Sequence, residues 1–436
     1  MRSPFIVLFY LLFLATTTQA APLTLIYSGN LDGELEPCGC TLDTDFGGIL
    51  RRAYYIDTVR ENTPDTMVLI SSGGLFSKEL AGDKIKNNYI LTGLAQLNYD
   101  AIGVQWADLT LGVDFLNQVD LPFTASNWSS DQLPRSQTIK RGQNTLFFTQ
   151  WLNPEESPYK SMPGLSPIST DIKALEAELA KANKAGQLTI LATTLPLEEI
   201  KQQLNLNVVD ILLIKSAYEQ FGVPQFTDGT LILQPGSRGQ RLGQLALNIN
   251  AQGDLSDWSH QVIELSATVP DAPRLLSWYD DYNEALKVAF EEEMKLQQEL
   301  SKGETPYVGE QVCATCHQSS HDRWQDSEHA KAFEDLEEVG KAYDPHCVSC
   351  HVVGYKKPGG FLSIELSSQL AGVQCENCHG QGQEHVKSAG QTLTPNHGLA
   401  KEQICTQCHV PEHSPKFDVT NYWPKILHSK EPSATD

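Results

Sequence analysis

The chain has 436 residues, 40% of them apolar, and a formal charge of −22 from 32 basic and 54 acidic side chains. That length accommodates two or three domains, each with its own core. A surface this acidic argues against nucleic acid as a partner and favours a basic redox protein or a small molecule.

Arg2 precedes an apolar run over residues 5–15, and Thr16-Thr17-Thr18-Gln19-Ala20 follows. The run is too short to cross a bilayer, and small residues at Thr18 and Ala20 suit cleavage after Ala20. Residues 1–20 therefore read as a signal peptide, and the mature chain is expected to be soluble and periplasmic. No cysteine stands near the cleavage site to carry a lipid, and no later stretch has the length of a membrane span.

Residues 21–266 alternate short apolar runs with helical stretches. Buried strands are expected at 23–28, 66–71, 100–104, 123–127, 188–193 and 208–214. Helices are expected between them at 48–60, 88–97, 170–185 and 197–204. Residues 230–233, 241–250 and 256–265 read as antiparallel strands, the last two joined by a Gln252-Gly253-Asp254 turn. The pattern predicts an α/β sandwich with helices on both faces of a largely buried sheet. Residues 267–306 read as a linker. A long charged helix opens at Pro273 and runs to Leu300, and Ser301-Lys302-Gly303-Glu304-Thr305-Pro306 breaks it.

Residues 307–436 are different, because cysteine and histidine dominate and ordinary apolar content falls. Four Cys-x-x-Cys-His motifs stand here: Cys313/Cys316/His317, Cys347/Cys350/His351, Cys375/Cys378/His379 and Cys405/Cys408/His409. Two thiols at this spacing reach the two vinyl groups of one porphyrin, and the adjacent imidazole falls under the iron. Zinc ribbons give no reason for a histidine after every pair. The segment is therefore expected to hold four covalent c-type haems and to move electrons. It cannot build an ordinary core, so the porphyrins must supply much of its buried surface.

The chain has twelve histidines, and His260 stands apart from the other eleven at 317–428. Removing the four motif histidines leaves His321, His329, His346, His385, His397, His413 and His428 as candidates for the far side of the irons. All four methionines precede Tyr307, which leaves His/His or His/open irons and predicts low potentials.

Several of these pieces carry a resemblance. They are Cys313 to His317 followed by Trp324 and His329-Ala330-Lys331-Ala332-Phe333, then Cys347 to Tyr355, Gly359-Gly360-Phe361, and Leu370 to Gly380. Residues 307–428 resemble the tetrahaem cytochrome family typified by the electron acceptor of hydroxylamine oxidoreductase. The resemblance implies His329, His385 and His397 as distal ligands and an open iron at the Cys347/Cys350 motif. His346 has no counterpart in the family and reads as a solvent-exposed side chain. His413 and His428 are unassigned, and either could close the fourth iron.

Residues 23–265 resemble the catalytic domain of the periplasmic 5′-nucleotidase family of metallophosphoesterases. The order of elements fits, as do Gly47-Gly48-Ile49-Leu50-Arg51-Arg52, residues 97–103 and Phe123-Thr124-Ala125-Ser126-Asn127. The resemblance implies a four-layer α/β/β/α sandwich, here followed by a linker helix and a small, mostly α, haem-packed domain. The family's metal motifs are altered to Gly29-Asn30-Leu31-Asp32-Gly33, Gly73-Gly74 and Gly103-Val104-Gln105-Trp106, and its late Gly-His-x-His is missing near Lys215-Ser216-Ala217. No histidine precedes His260, so a two-metal site of imidazoles and carboxylates cannot be assembled. Asn30 and Asp32 could hold one hard cation, although such pairs more often form turns.

The two remaining cysteines are Cys38 and Cys40, in Glu34-Leu35-Glu36-Pro37-Cys38-Gly39-Cys40 after the first strand. This stretch is similar to one in nucleotidase-like proteins fused to multihaem cytochromes, some of which carry selenocysteine nearby. Three readings stay open: a structural disulfide, a redox-active pair and a soft-metal site. The acidic neighbours Glu34, Glu36 and Asp43 would raise the thiol pKa values. The reading that follows is a periplasmic electron carrier whose partners are other cytochromes or a quinol-linked donor. Reduction of a small oxidised sulfur, selenium or nitrogen compound at Cys38/Cys40 or an open haem is its enzymatic extension. The rivals are a phosphohydrolase with accessory haems and a non-catalytic docking module.

Overall fold

The computed structural model describes residues 22–38, 45–77, 83–129, 131–161, 167–215, 221–250, 252–301, 305–411 and 413–428. The expected signal peptide, Cys40, Asp43 and the stretch 216–220 lie outside the described residues.

The first half begins with β1 (Leu23–Ser28), the short β2 (Pro37–Cys38) and β3 (Phe46–Gly47), α1 (Ile49–Asn62) and β4 (Met67–Ser71). Next come α2 (Lys84–Ala95), β5 (Ala101–Gly103), α3 (Val113–Leu116), β6 (Phe123–Thr124), β7 (Gln137–Arg141) and β8 (Asn144–Trp151). After them stand α4 (Ile172–Lys184), β9 (Leu188–Thr193), α5 (Leu197–Gln203) and β10 (Ile211–Ile214). The half closes with β11 (Gln225–Thr227), β12 (Thr230–Leu233), β13 (Arg241–Ile249) and β14 (Leu255–Glu264).

The residues alone predict one buried sheet, whereas the described residues form two six-stranded sheets beside the small β2–β3 hairpin. One runs β14-β13-β1-β4-β5-β6 and the other β11-β12-β10-β9-β8-β7. Period-2 alternation explains the stacking. Leu23, Leu25 and Tyr27 of β1 point between the sheets to meet Leu146, Phe148, Ile190 and Leu213, while Ile26 points outward to the helices. On the outer face of the first sheet, Ile49, Ala53 and Ile56 of α1 pack with Ile90 and Leu94 of α2. On that of the second, Leu175 and Leu179 of α4 and Ile200 of α5 cover Leu191 and Leu212. The result is a four-layer α/β/β/α sandwich.

The edge hairpin of β7 and β8 escapes the sequence pattern, because Gln137-Thr138-Ile139-Lys140-Arg141 is polar and only Ile139 of β7 is buried. Gly142, at a φ of 55°, makes its turn. β6 is shorter than expected for a related reason. Past Thr124 the chain leaves the first sheet, and Ser126 N–H donates to Gln150 O on β8 at 2.7 Å.

α6 (Leu276–Leu300) follows a 3₁₀ turn at Pro273–Leu275. Its buried residues Tyr282, Leu286, Phe290 and Met294 recur every fourth position and so lie on one face. Tyr282 and Leu286 join the helix-side core of the sandwich, whereas Phe290 and Met294 join a separate core with Phe333, Leu336, Val348 and Phe361. Met294 precedes Tyr307 in sequence, yet α6 carries its thioether into the second half. No helix among the described residues is long and apolar enough to cross a membrane. Beyond residue 305 the described residues are mostly short helices, the longest Glu328–Glu338.

Candidate functional site

Each Cys-x-x-Cys-His motif occupies about one helical turn, which sets its two cysteines on one side. The second and third motifs lie wholly within helices, at Pro345–His351 and Cys375–His379. In the first and fourth the turn is closed by His317 N–H donating to Cys313 O and His409 N–H to Cys405 O, both at 2.9 Å. Between motifs, the Cys313 and Cys375 sulfurs are close neighbours, as are those of Cys350 and Cys408. The motifs are thus grouped first with third and second with fourth.

The histidine rings are arranged about these turns in facing pairs. His317 and His385 have centroids 6.1 Å apart, His329 and His409 also 6.1 Å, and His379 and His428 5.8 Å. Two metal–nitrogen bonds of about 2 Å between facing imidazoles require a centroid separation of roughly 6 Å. Hydrogen bonds at Nδ1 leave Nε2 free, the pattern of a metal-ligating imidazole. His385 Nδ1 pairs with Thr392 O at 2.7 Å, His409 Nδ1 with Ser414 Oγ at 3.2 Å, and His428 Nδ1 with Ile426 O at 3.2 Å. His351 Nδ1 is bonded to Ala332 O. Burial and neighbouring histidines lower the pKa values of His329, His379 and His409, which favours the neutral, ligating form. These residues fit covalently bound c-type haem.

Three positions show what sequence spacing does not. The ring opposite His379 is His428 and not His397, although His397 lies near enough to help lower the His379 pKa. His428, two residues past the helix Val419–Ile426, reaches that ring, a return that sequence spacing cannot reveal. Cys316 is the second. It is exposed while its seven motif counterparts are half-buried. The reason is local: the helix Glu310–Ala314 ends before it, and the turn that follows carries Thr315, Cys316 and His317 to the surface. Its thiol accepts only from the neighbouring Thr315 hydroxyl, at 3.8 Å, whereas Cys313 reaches Cys375. An accessible thiol is still open to a vinyl group, so its place in the first motif is unaffected. The third is His346, which is exposed as expected but not solitary, since its Nε2 is bonded to Asp83 Oδ1 at 2.8 Å. His321 likewise has its Nε2 committed to Glu310. Among the described residues no imidazole ring is paired with His351.

Sequence reading missed Glu376, inside the third motif. Its buried carboxylate accepts from Val308 N–H at 3.0 Å, Gly309 N–H at 2.9 Å and Gly382 N–H at 2.7 Å, binding the start of the first motif to the third. Trp324 Nε1–H donates to Val373 O at 2.7 Å and ties the His329 region to the same place. A glutamate between two motif cysteines carries no sequence signal of this role.

In the sandwich, the altered metal motifs do meet at the strand ends, but as a closed amide network. Gln105 Nε2 donates to Asn30 Oδ1 at 2.9 Å and to Ser72 O at 3.0 Å, and Asn30 Nδ2 donates to Asp32 Oδ1 at 3.1 Å. The buried Asp108 carboxylate accepts from Gly74, Leu75 and Gln105 N–H groups at 2.8, 2.6 and 2.9 Å. Burial pushes its pKa up to about 6 against those donors. Gly74 has a φ of 72°, and a Cβ there would meet the Asn30 amide at 2.5 Å. The network borders a cleft of about 790 Å³ with Trp106, Trp128, Tyr159 and Lys215 in its wall. No group of three or more His, Cys, Asp or Glu among the described residues is arranged to hold a metal ion.

Cys38 is paired with Phe46 in the β2–β3 hairpin, and Gly48 just beyond lies against Pro37, where a Cβ would meet Pro37 Cδ at 2.8 Å. Glu36, before the hairpin, reaches Lys341 in the second half. The hairpin therefore faces the turn that leads into the second haem motif.

Helical Cys-x-x-Cys-His turns with facing imidazoles define a multihaem c-type cytochrome, joined here to a metallophosphoesterase-like sandwich. The family described as cytochrome c554 and c-prime matches residues 312–380. Cytochrome c-554 of Nitrosomonas europaea is 32% identical over 160 residues, covering 28% of this chain and 68% of that protein. The chain belongs to the cytochrome c-554 family, and is a multihaem electron-transfer protein with covalently bound haem. The sandwich is similar in fold to a 5′-nucleotidase precursor of Thermus thermophilus, with a TM-score of 0.51 and 15% identity over 61% of this chain and 59% of that one. It is also similar to the Thermus thermophilus sulfate thiohydrolase SoxB, with a TM-score of 0.52 and 13% identity over 67% and 63% of the respective chains. The chain spans less than two thirds of each of those structures, and at such identities the likeness is one of fold.

Proposed function

We propose that this protein is a periplasmic tetrahaem electron carrier, exported by a cleaved signal peptide, with domains at 21–266 and 307–436 joined by the linker 267–306. The observation that carries the reading is the set of three imidazole pairs about 6 Å apart, beside a second motif whose His351 has no facing ring among the described residues. In this reading each cysteine pair attaches one haem, Cys316 included, and His317, His351, His379 and His409 are the proximal ligands. His385, His409's partner His329, and His428 are the distal ones, with His428 in the role the family resemblance implies for His397. Bound haem supplies one-electron redox chemistry at low potential, and the protein holds the imidazoles neutral and in position. Donors and acceptors are other redox proteins.

Purified protein should contain four irons, and electron paramagnetic resonance of the oxidised form should show one high-spin ferric iron beside three low-spin ones. Fewer than three haems in fully matured protein would sink the tetrahaem reading. Four low-spin signals would remove the open site and leave a pure carrier.

A second redox element is proposed at Cys38 and Cys40, supported by the position of the hairpin next to the second motif. Here the pair would serve in reduction of a small oxidised sulfur, selenium or nitrogen compound. Alkylation and mass spectrometry should find two additional free thiols per chain once the haems are reduced. Identical thiol titration in the oxidised and reduced protein would make the pair structural.

A further inference from the structure

The apolar stripe of α6 joins the two halves along one axis. Apolar contact is non-directional and leaves rotation about that axis weakly specified. Two polar contacts away from the stripe fix it. In the first, the Glu36 carboxylate contacts both Lys341 Nζ and the Tyr279 hydroxyl. Lys341 Nζ also donates to Asn283 Oδ1 at 3.0 Å and sits 5.2 and 5.7 Å from the ring centroids of Tyr279 and Tyr282. The Glu36 and Lys341 side chains are only 16% and 15% exposed, so each charge depends on the other for compensation. In the second contact, Asp83, itself bonded to Ser77 Oγ, pairs with His346 Nε2 at 2.8 Å.

Both contacts land on the same short stretch of the second half. Lys341 and His346 bracket the turn at Asp344, and Cys347 N–H donates to Asp344 O at 3.0 Å. On the other side, Glu36 stands two residues before Cys38, which pairs with Phe46. An ion pair thus links the hairpin bearing Cys38 to the segment bearing the second haem motif.

We propose that Lys341, seconded by Asp83, is a positioning residue that holds the Cys38 hairpin against the second haem motif, making the two halves one redox unit. The inference rests on the reading of Cys38 and Cys40 as a redox element, but the seam can be tested apart from it. The full-length, haem-loaded protein is compared with Lys341→Met and, at the separate contact, Asp83→Asn. Hydrogen exchange is measured over residues 83–95 and 341–351, and the free thiols at Cys38 and Cys40 are followed by alkylation after photoreduction of the haems. Exchange in both segments should rise at least tenfold in each variant. The appearance of thiols should slow at least tenfold, with haem potentials unchanged and Lys341→Arg restoring both readouts. Unchanged exchange in both variants would overturn the inference. If exchange rises but the wild-type protein forms no thiols, the seam stands and the redox reading of the cysteines falls.

Discussion

His317 and His385 face one another across 6.1 Å with ring planes 21° apart, the separation two imidazoles need to share one iron. The two residues are distant in sequence. The carboxylate of Glu376 brings the first and third motifs together and so sets the frame in which the rings meet.

The third iron separates two candidate ligands. His428→Ala should convert one low-spin ferric signal to high-spin, whereas His397→Ala should leave the low-spin set intact. Electron paramagnetic resonance of the two oxidised variants decides it, and the reverse outcome would return His397 to the third iron.

Glu376→Ala strips three backbone N–H groups of a charged acceptor. Hydrogen bonds to charged groups contribute about 1.5–3 kcal/mol each, and they are not additive within one cluster. Haem-domain stability should therefore fall by about 3 kcal/mol or more, read as the denaturant midpoint of the haem absorbance. A loss below about 1 kcal/mol would show that the carboxylate is not the tie between the motifs.

The seam should have its own pH window. The Asp83 partner raises the pKa of His346, and this contribution is full below about 6.5 and lost as pH rises through the higher folded value. For Asp83, burial alone would raise the carboxyl, but hydrogen bonds from His346 and Ser77 carry it below the usual range. Its contribution is full above about pH 4 and lost as pH falls through the lower folded value. Both are present between about pH 4 and 6.5. The Tm difference between wild type and Asp83→Asn should be largest near pH 5.5 and shrink by pH 8. A difference that is flat with pH would show that the pair does not titrate as a unit.

The amide network of Asn30, Gln105 and Asp32 should not support hydrolysis. Purified protein with added manganese is expected to release no phosphate from nucleotides beyond the level of an Asp32→Ala control. Metal-stimulated turnover above that control would restore the hydrolase reading.

The haem motifs were legible because covalent attachment demands cysteines and a histidine at fixed local spacing, which one helical turn satisfies. How deep each thiol lies was not, since Cys316 reaches the surface only because its helix ends at Ala314. The alteration of the metallophosphoesterase motifs was legible too, since residue types are read directly and no histidine precedes His260. The apolar strands of the sandwich could be read from their continuous runs, as at β1. Its polar edge strand β7 could not, because half-exposed strands carry little apolar signal. Which imidazole rings face one another was not legible either, since His428 meets His379 only through the tertiary path of the C-terminal segment. The meeting of Glu36 with Lys341 likewise belongs to tertiary structure. A charge in sequence names no partner, and these two meet only where the α6 stripe and the Asp83–His346 contact seat one half on the other.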